Sequence, residues 1–421
     1  MKNKVIEQYR YAQERYQKFG IDTEQVIKKL ARISLSIHCW QGDDVKGFEM
    51  QGSPLSGGIQ VTGNYPGRAR NILELRQDLT MALSLIPGRH RINLHAIYGD
   101  FGDKRIERND IGIEHFQSWV DWAKERKLGL DFNATLFSHP LSEDGFTLSS
   151  KNKKIRDFWI EHVRRSREIA AYFGRELKMP AVHNLWIPDG MKDICVDRIG
   201  YRSLLKDSLD KIYSKKYPEK FLRDSLEPKL FGIGSESFVT GSFEFYLGYA
   251  FKNDLMLCLD LGHFHPTESI ADKISSLLLF IKGILLHISR GVRWDSDHIP
   301  LFDDTLRELF SEIIRCDALS RIYIGLDYFD ATLNRIGAWV LGVRSVQKAL
   351  LYAMLEPIKM LKKFEERKDY ISRLGIYEAL KTLPFSAVWD YFCFISNVPL
   401  DPDWLNIIKR YEKEILNKRK D

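Results

Sequence analysis

Seven side chains suited to binding a divalent metal ion are spread over the second half of the sequence. They are Glu227, Asp260, His263, His287, Asp295, Asp297 and Asp327. Each one lies at or shortly after the end of a short apolar run that is typical of a buried strand. If the fold brings them together, the carboxylates repel one another unless cations neutralise them. Carboxylate and imidazole ligands without a thiolate suit Mn²⁺, Zn²⁺, Co²⁺ or Mg²⁺, and we therefore predict a metal centre.

The spacing of these side chains favours two metal ions over one. Asp295 and Asp297 are two residues apart, so in an extended segment they point the same way and can bind one ion together. Asp260 and His263 flank Gly262, which allows the chain to fold back and bring both side chains inward. Asp260 lies centrally and could bridge the two ions. A set of solvent-exposed loop acids is the alternative interpretation.

Three further side chains are candidates for contact with a substrate. Lys229 lies two residues after Glu227 and therefore leaves the same face of the strand. A cation beside bound metal ions is unfavourable unless it meets a developing negative charge, which predicts a catalytic contact with a substrate oxygen. A salt bridge to a ligand carboxylate is the alternative. Trp40 and Trp186 end two strand-like runs and could form flat apolar walls for a sugar or a substrate methyl group, or could simply pack at the rim.

The sequence offers no competing catalytic motif. Neither GxGxxG, nor GxxxxGK[ST], nor GxSxG occurs, and Gly232 with Gly234 lacks the third glycine of a phosphate loop. Segment 51–68 is rich in Gly, with Ser, Pro and Asn, and follows the first strand-like run. We predict that this segment closes over the substrate, although a featureless surface loop fits the composition as well.

Eight short β-branched or aromatic runs alternate with longer amphipathic segments. The runs are 33–40, 91–98, 129–136, 180–187, 221–229, 255–261, 283–289 and 321–329. Their near-continuous apolar cores are typical of parallel strands that are covered on both faces. Eight strand–helix units in succession predict an α/β fold, a (β/α)8 TIM barrel, with an open doubly wound sheet as the competing architecture. In such a barrel the carboxyl ends of the strands share one rim, where the candidate ligands belong.

Helical segments flank the predicted barrel at both ends. We expect residues 1–350 to hold the barrel with an N-terminal helical arm over 1–32, and residues 351–421 to form a C-terminal helical extension. A helical arm outside a closed barrel buries its apolar face on something, often another subunit. We therefore expect a homo-oligomer in which the extension makes contacts.

Composition and charge limit the partners and the location. The 421 residues include 63 Lys and Arg and 57 Asp and Glu, and this dispersed excess of +6 gives no reason to expect a nucleic-acid partner. The five cysteines form no CxxC pair and the N-terminus is polar, so we expect reduced thiols and a cytoplasmic protein. The most apolar stretch, 277–288, contains Lys282 and is shorter than the ~20 residues of a membrane span, so no membrane partner is expected.

Four stretches and one triplet resemble a known family of enzymes. The stretches are Ser36–Asp44, Cys258–Glu268, Val292–His298 and Ile324–Asp330, and the triplet is Glu227-Pro228-Lys229. On these motifs the whole chain resembles the L-rhamnose isomerases, within the wider group of xylose-isomerase-like barrels. The triplet is similar to the one in xylose isomerases, and the ligand positions show no departure from the family pattern.

The resemblance implies two metal ions per subunit. The first would be held by Glu227, Asp260, His287 and Asp327, and the second by His263, Asp295 and Asp297, with Asp260 as a candidate for sharing. Mn²⁺ is the implied activator, with Zn²⁺ or Co²⁺ as substitutes. The implied reaction is the reversible isomerisation of L-rhamnose to L-rhamnulose in cytoplasmic sugar catabolism, and the implied assembly is a homotetramer.

Chemistry suggests roles for individual side chains within that resemblance. The sugar ring must open first, and His95 at the end of the second run is our candidate for that proton transfer and for substrate contact. The second ion would lower the pKa of a bound water molecule oriented by Asp297 or Asp327, and its hydroxide would take the O2 proton. Hydride would move from C2 to C1 while Lys229 stabilises the charge growing on O1. An enediol route needs a base outside the metal cluster, and no isolated Asp or Glu stands out as one.

Three alternative functions remain open from the sequence. An isomerase or epimerase acting mainly on another rare or deoxy sugar would use the same ligands. A metal-dependent DNA-repair nuclease on the same fold would need a basic crescent around the rim, whereas this rim is acidic and aromatic. A sugar-binding barrel without activity would have no use for Lys229 together with seven candidate ligands.

Overall fold

The computed structural model describes residues 2–49, 63–229, 236–265, 267–292 and 298–419. Within these ranges eight parallel strands close into a barrel in the order β1-β8-β7-β6-β5-β4-β3-β2. They are β1 (Leu35–His38), β2 (His90–His95), β3 (Gly129–Asn133), β4 (Ala181–Leu185), β5 (Leu222–Leu226), β6 (Met256–Asp260), β7 (Ile284–Ile288) and β8 (Ile322–Leu326). This closed sheet confirms the predicted (β/α)8 barrel and excludes the open doubly wound sheet.

Each predicted run overlaps one observed strand, and every strand ends earlier than its run. After β1, β2 and β6 the chain leaves the ladder at once in the short 3₁₀ turns Cys39–Gly42, Ala96–Tyr98 and Leu261–His263. Trp40 and Ile97 in two of these turns are still buried, because the rim loops cover them. The apolar runs therefore mark the residues that are buried, and the chain stays buried beyond the last residue that pairs with a neighbouring strand.

The register of the last three strands places polar side chains next to one another. Asp260 on β6 pairs with His287 on β7, and His287 pairs with Gly325 on β8. A Cβ atom at Gly325 would lie 3.4 Å from the nearest carbon of the His287 ring, so glycine leaves this ring ample room. Strand pairing alone therefore brings a carboxylate and an imidazole together at the end of the barrel.

The described residues form fourteen α-helices, one after each barrel strand and six outside the barrel. Those that follow β1 to β8 are α3 (Ile72–Leu83), α4 (Gln117–Arg126), α5 (Lys153–Glu176), α6 (Arg198–Ile212), α7 (Phe243–Asn253), α8 (Ile270–Leu278), α9 (Asp304–Arg315) and α10 (Arg335–Met354). Several begin at a capping side chain: Asn71 accepts from the N–H groups of Leu73 and Glu74, and Asp303 accepts from that of Leu306. Within the described ranges, no helix has both the length and the apolar character needed to cross a bilayer.

The predicted arm and extension are both helical, and they pack together. The arm contains α1 (Lys2–Gln17) and α2 (Thr23–Leu30), and the extension contains α11 (Ile358–Glu366), α12 (Tyr370–Lys381), α13 (Phe385–Ile395) and α14 (Trp404–Glu414). Tyr9 on α1 stacks on Tyr391 on α13 with ring centroids 3.8 Å apart. The eighth barrel helix, α10, ends at Met354, just beyond the predicted division at 350. That division stays a prediction.

A small antiparallel ribbon lies outside the barrel. Gly190–Met191, in the loop after β4, pairs with Phe238–Val239, in the loop after β5. Neither strand was predicted, because two-residue strands have no periodic signal. The ribbon joins two loops on the rim that carries the candidate ligands.

Candidate active site

Four of the predicted ligands meet at the carboxyl ends of four consecutive barrel strands. Glu227 follows β5, Asp260 ends β6, His287 is on β7 and Asp327 follows β8. One ligand atom from each of the four lies within 4.8 Å of the others. The first three side chains are buried, with relative exposures of 4%, 3% and 1% in that order. Three carboxylates and an imidazole therefore share one shielded volume.

The contacts of His287 show why this volume suits a cation. Its Nδ1 atom lies 2.9 Å from Asp327 Oδ2, 3.3 Å from Glu227 Oε2 and 3.8 Å from Asp260 Oδ2. One N–H can serve only one of these three oxygens. Burial lowers the pKa of His287, but Cys258, Glu227 and Asp327 outweigh burial and raise it well above its ordinary value. A divalent ion can satisfy all four ligands at once, so the donor set fits one.

Three donors orient the carboxylates of this cluster. Trp40 Nε1 donates to Asp327 Oδ1 at 3.0 Å, and the Gly262 N–H donates to Asp260 Oδ1 at 2.7 Å. In both acids the other oxygen is the one that faces His287. Asn184 Nδ2 donates to Glu227 Oε2. Hydrogen bonds from residues that are not themselves ligands fix the direction in which a ligand oxygen points.

The side chains expected to hold a second ion are only partly described. His263 lines the cavity that also contains the four clustered ligands. Its Nδ1 atom donates to the Pro228 carbonyl at 2.9 Å and lies 3.7 Å from Glu227 Oε1. Asp295 and Asp297 lie outside the described residues, as do positions 51–62 of the predicted closing segment and the Gly232 to Gly234 pair. The second ligand set therefore stays a prediction.

Lys229 is buried and has two partners. Its Nζ atom donates to the Pro188 carbonyl and to Glu236 Oε1, both at 2.6 Å, and its side chain is 1% exposed. The ammonium also lies 5.9 Å from the centre of the Trp186 ring. The carboxylate paired with Lys229 is therefore that of Glu236. Among the described contacts, Lys229 forms no salt bridge with a carboxylate of the ligand cluster. Glu236 was missed because the sequence gives an isolated acid in this segment no distinguishing spacing.

An aromatic wall faces the carboxylate cluster. Successive ring centroids are 4.8 Å apart from Trp40 to His95, 5.6 Å from His95 to Phe137 and 6.1 Å from Phe137 to Trp186. All four rings line one cavity with the four clustered ligands and His263. The cavity thus has a polar floor and an apolar wall, as a sugar with hydroxyl groups and a hydrophobic face requires. Phe137 was not predicted, although it follows β3 directly on the same rim.

A closed parallel barrel with a buried acid–imidazole cluster at the carboxyl ends of its strands has the arrangement of a TIM-barrel enzyme whose active site lies at that rim. The family whose model is described as L-rhamnose isomerase (RhaA) matches residues 3–419, and the chain belongs to this family. Membership makes it an aldose–ketose isomerase, as the sequence predicted.

Named relatives are similar over their whole length. An L-rhamnose isomerase from Listeria innocua serovar 6a is 54% identical over 415 residues, 99% of each chain. Those from Enterobacter sp. (strain 638) and Salmonella agona are 54% and 53% identical over 419 residues, 100% of each chain. A solved D-psicose 3-epimerase from Clostridium cellulolyticum H10 has a TM-score of 0.47 at 11% identity, covering 77% of this chain and 100% of that one. A similarity that low bears on neither substrate nor mechanism.

Proposed function

We propose that this chain interconverts L-rhamnose and L-rhamnulose by a hydride shift at a site that binds two divalent metal ions, with Mn²⁺ preferred and Zn²⁺ or Co²⁺ as substitutes. Full-length similarity to relatives named L-rhamnose isomerase supports the substrate. The observation that carries the metal requirement is the meeting of three carboxylates with His287 within 4.8 Å. A cytoplasmic location and a homotetramer complete the proposal.

The residues of this chain divide into two ligand sets. Glu227, Asp260, His287 and Asp327 would hold the first ion, and His263, Asp295 and Asp297 the second, with Asp260 reaching both. Bound ions would polarise the sugar oxygens and make a nearby water molecule more acidic. Trp40 and Gly262 keep one oxygen of Asp327 and one of Asp260 turned away, so that the other faces the centre.

Lys229 would stabilise the negative charge that develops on O1. An ammonium group has three N–H donors, and the Pro188 carbonyl and Glu236 use two of them. The directions of these two hydrogen bonds fix the direction of the third N–H group of Lys229, and we assign that group to O1 of the sugar. Because both partners are themselves held by the rim ribbon and its loops, the ammonium is positioned before substrate binds.

The remaining groups bind the sugar and handle its protons. Trp40 and Trp186 would pack on its apolar face and methyl group, and His95 would reach a sugar oxygen during ring opening. Asp297 or Asp327 would orient the water molecule that receives the O2 proton. Hydride would then pass from C2 to C1 and the water molecule would return the O2 proton to O1, so that O2 becomes the carbonyl oxygen and O1 a hydroxyl.

Direct transfer is supported by what lines the cavity. Among the described residues, its carboxylates are Glu227, Asp260 and Asp327, all in the ligand cluster. An enediol route needs a further base at C2, and no carboxylate outside the ligand cluster lines the described part of the cavity. With deuterium at C2 of L-rhamnose, the label should appear at C1 of L-rhamnulose. Substantial loss of label to solvent would reject direct transfer.

Metal removal tests the central claim. Treatment with EDTA should abolish ketose formation from L-rhamnose, and added Mn²⁺ should restore it more fully than Mg²⁺ does. The same assay with other aldoses, and a test for epimerised products, separates the alternative of another rare or deoxy sugar. Full activity of the metal-stripped protein would contradict the proposal.

A further inference from the structure

Asp189 is a fully buried acid in the loop after β4. Its Oδ2 atom accepts from the N–H of Ser149 at 2.8 Å and from Ser149 Oγ at 2.6 Å, and its Oδ1 atom accepts from Thr147 Oγ1. No cation pairs with Asp189 among the described residues, so these neutral donors compensate its burial. The proposed reaction uses no part of this carboxylate.

The backbone around Asp189 is held as firmly as its side chain. Its carbonyl accepts from the N–H of Thr240 at 3.0 Å, and the N–H of Gly190 donates to the Gly145 carbonyl at 3.0 Å. These bonds join the loop after β4 to the loops after β5 and β3. On the other side of Asp189, the ring of Pro188 restricts the backbone. Asp189 therefore cannot turn without breaking several buried hydrogen bonds.

The Pro188 carbonyl depends on Asp189 for its direction. It belongs to the planar peptide unit that ends at the Asp189 nitrogen, so a rotation about φ of Asp189 turns this carbonyl. Its oxygen accepts from Lys229 Nζ at 2.6 Å. At the other end of the lysine, the Lys229 N–H donates to the carbonyl of Gly241, the residue after Thr240, at 3.0 Å. Both ends of Lys229 are therefore bonded to backbone that Asp189 holds.

We propose that Asp189 is a positioning residue for Lys229: by fixing the Pro188 carbonyl, it holds the ammonium in the direction that the reaction requires. That this direction leads to O1 of a sugar rests on the proposed function. Asp189 lines neither of the two cavities that share Asp260 and His263, one of which contains Lys229, so it acts through the lysine. Because the charge on O1 develops only in the transition state, loss of alignment should lower kcat and leave KM nearly unchanged.

Asp189→Asn tests this role directly. The amide keeps the shape of the side chain, but its NH2 group cannot accept a hydrogen bond from Ser149 or Thr147. We expect kcat with L-rhamnose to fall about tenfold to a hundredfold and KM to stay within about threefold. Asp193→Asn, at an exposed acid in the same loop, is the matched control and should behave like the wild type. Equal kcat of the wild type and Asp189→Asn would overturn the proposal.

A double-mutant cycle with Lys229→Met separates positioning from a merely structural role. The methionine has no ammonium to position, so adding Asp189→Asn to Lys229→Met should change kcat by less than about twofold. A structural role would lower kcat by the same factor with and without the lysine, and that result would contradict the proposal.

Substitutions at Thr147 serve as the test if Asp189→Asn does not fold. Thr147→Val removes the hydroxyl that donates to Asp189 and keeps the shape of the side chain, whereas Thr147→Ser keeps the hydroxyl. We expect the Val variant to lose about threefold to tenfold in kcat and the Ser variant to recover it. Equal kcat of the Val and Ser variants would count against the proposal.

Chemical labelling tests the position of Lys229 without substrate. The amine must leave both of its acceptors before acetic anhydride reaches it, so it should react slowly relative to the exposed Lys192, as measured by mass spectrometry of peptides. We expect Asp189→Asn to raise this ratio about tenfold and Asp193→Asn to leave it unchanged. An unchanged ratio in Asp189→Asn would overturn the proposal. A raised ratio in an enzyme that is inactive on L-rhamnose would defeat the proposed function alone.

Discussion

The buried ammonium group of Lys229 depends on Glu236 for its position. The pair is separated by 2.6 Å, and the carboxylate comes from the loop that leads into the rim ribbon. Gly190 of that ribbon allows the close approach, because a Cβ atom there would lie 3.0 Å from Glu236 Oε1 and 2.8 Å from the Phe238 carbonyl. A charged pair this well shielded is weakened sharply when one partner loses its charge.

Glu236→Gln should lower kcat while leaving the protein folded. The amide keeps the shape of the side chain but holds the ammonium less firmly, so we expect kcat to fall about tenfold to a hundredfold. Steady-state kinetics with L-rhamnose and circular dichroism measure the two effects. Glu378→Gln, in an exposed Lys–Glu pair on α12, is the matched control and should behave like the wild type. Equal kcat for both variants would show that Glu236 does not position Lys229.

His263→Ala should remove most turnover without unfolding the barrel. His263 lies in a turn after β6 and not in the strand core, so its loss affects the site more than the fold. His265→Ala, two residues further on and exposed, is the control and should keep its activity. Ketose assays with added Mn²⁺ and thermal unfolding distinguish the outcomes. Global unfolding of His263→Ala would show that the side chain is structural.

The ligands of the cluster were predictable because each lies at or next to the end of an apolar run, and barrel topology brings such ends together. Their supporting side chains were not. Asn184 lies 43 residues from Glu227, and Thr135, whose Oγ1 atom is 3.0 Å from His95 Nδ1, lies 40 residues from that histidine. These pairings depend on how neighbouring strands are staggered, and one sequence carries no signal of that stagger.

At the scale of elements, the C-terminal helix supports one side of the active-site rim. Glu412 on α14 accepts hydrogen bonds from Tyr65 Oη at 2.8 Å and from Asn334 Nδ2. Arg419 donates to the Gly67 carbonyl at 2.9 Å. The extension therefore fastens the described end of segment 51–68 to the loop that follows β8. The sequence predicted the extension but not this contact, because amphipathic periodicity shows which face is buried and not what covers it.

Arg419→Ala should destabilise the protein strongly, although Arg419 lies beyond the last described helix, α14. Arg419 pairs with Asp78 on α3 at 2.6 Å, and the side chains are 5% and 2% exposed. Loss of the guanidinium leaves a buried carboxylate unpaired, which costs about 3 kcal/mol of unfolding free energy. Urea unfolding measures the change. The double variant Asp78→Ala/Arg419→Ala should be more stable than Arg419→Ala, and a lower stability would contradict the buried-charge explanation.

At the scale of the whole molecule, buried histidines make the fold sensitive to acid. Burial lowers the pKa of His90 to about 4 and that of His162 to about 3. Both values lie below the ordinary ~6.5 of an unfolded chain, so the unfolded state binds more protons as the pH falls through that value. Their contribution to stability is complete above the unfolded pKa and is lost on acidification. Asp43 acts in the opposite sense, since burial raises its pKa to about 7.

These opposed groups predict two opposite changes in the pH dependence of Tm. As the pH is lowered below neutrality, the Tm of His90→Gln should fall less than that of the wild type. The Tm of Asp43→Asn should fall more than that of the wild type. On acidification the wild-type carboxyl takes up a proton in the folded state before it does so in the unfolded state, and this uptake stabilises the folded state. Differential scanning calorimetry across this range measures both slopes. Parallel slopes for all three proteins would contradict the assignment.

The expected homotetramer is tested by mass. Ile194, Val196 and Ile199 follow the rim ribbon with relative exposures of 78%, 93% and 77%, and apolar side chains this exposed favour association. Light scattering after gel filtration should give about four times the chain mass of 49.1 kDa. A monomeric mass at all concentrations would reject the assembly.

The contact between Arg419 and Asp78 also bears on how the protein is made in the cell. Chains fold from the N-terminal side as they are synthesised, and Arg419 follows α14, so it leaves the ribosome only after the barrel has done so. Until then Asp78 lacks its partner, Gly67 lacks its donor, and one edge of the catalytic rim is unsupported. Nascent chains stalled before Arg419 has left the ribosome should therefore be protease-sensitive and inactive, and activity should emerge once the segment that contains Arg419 is exposed.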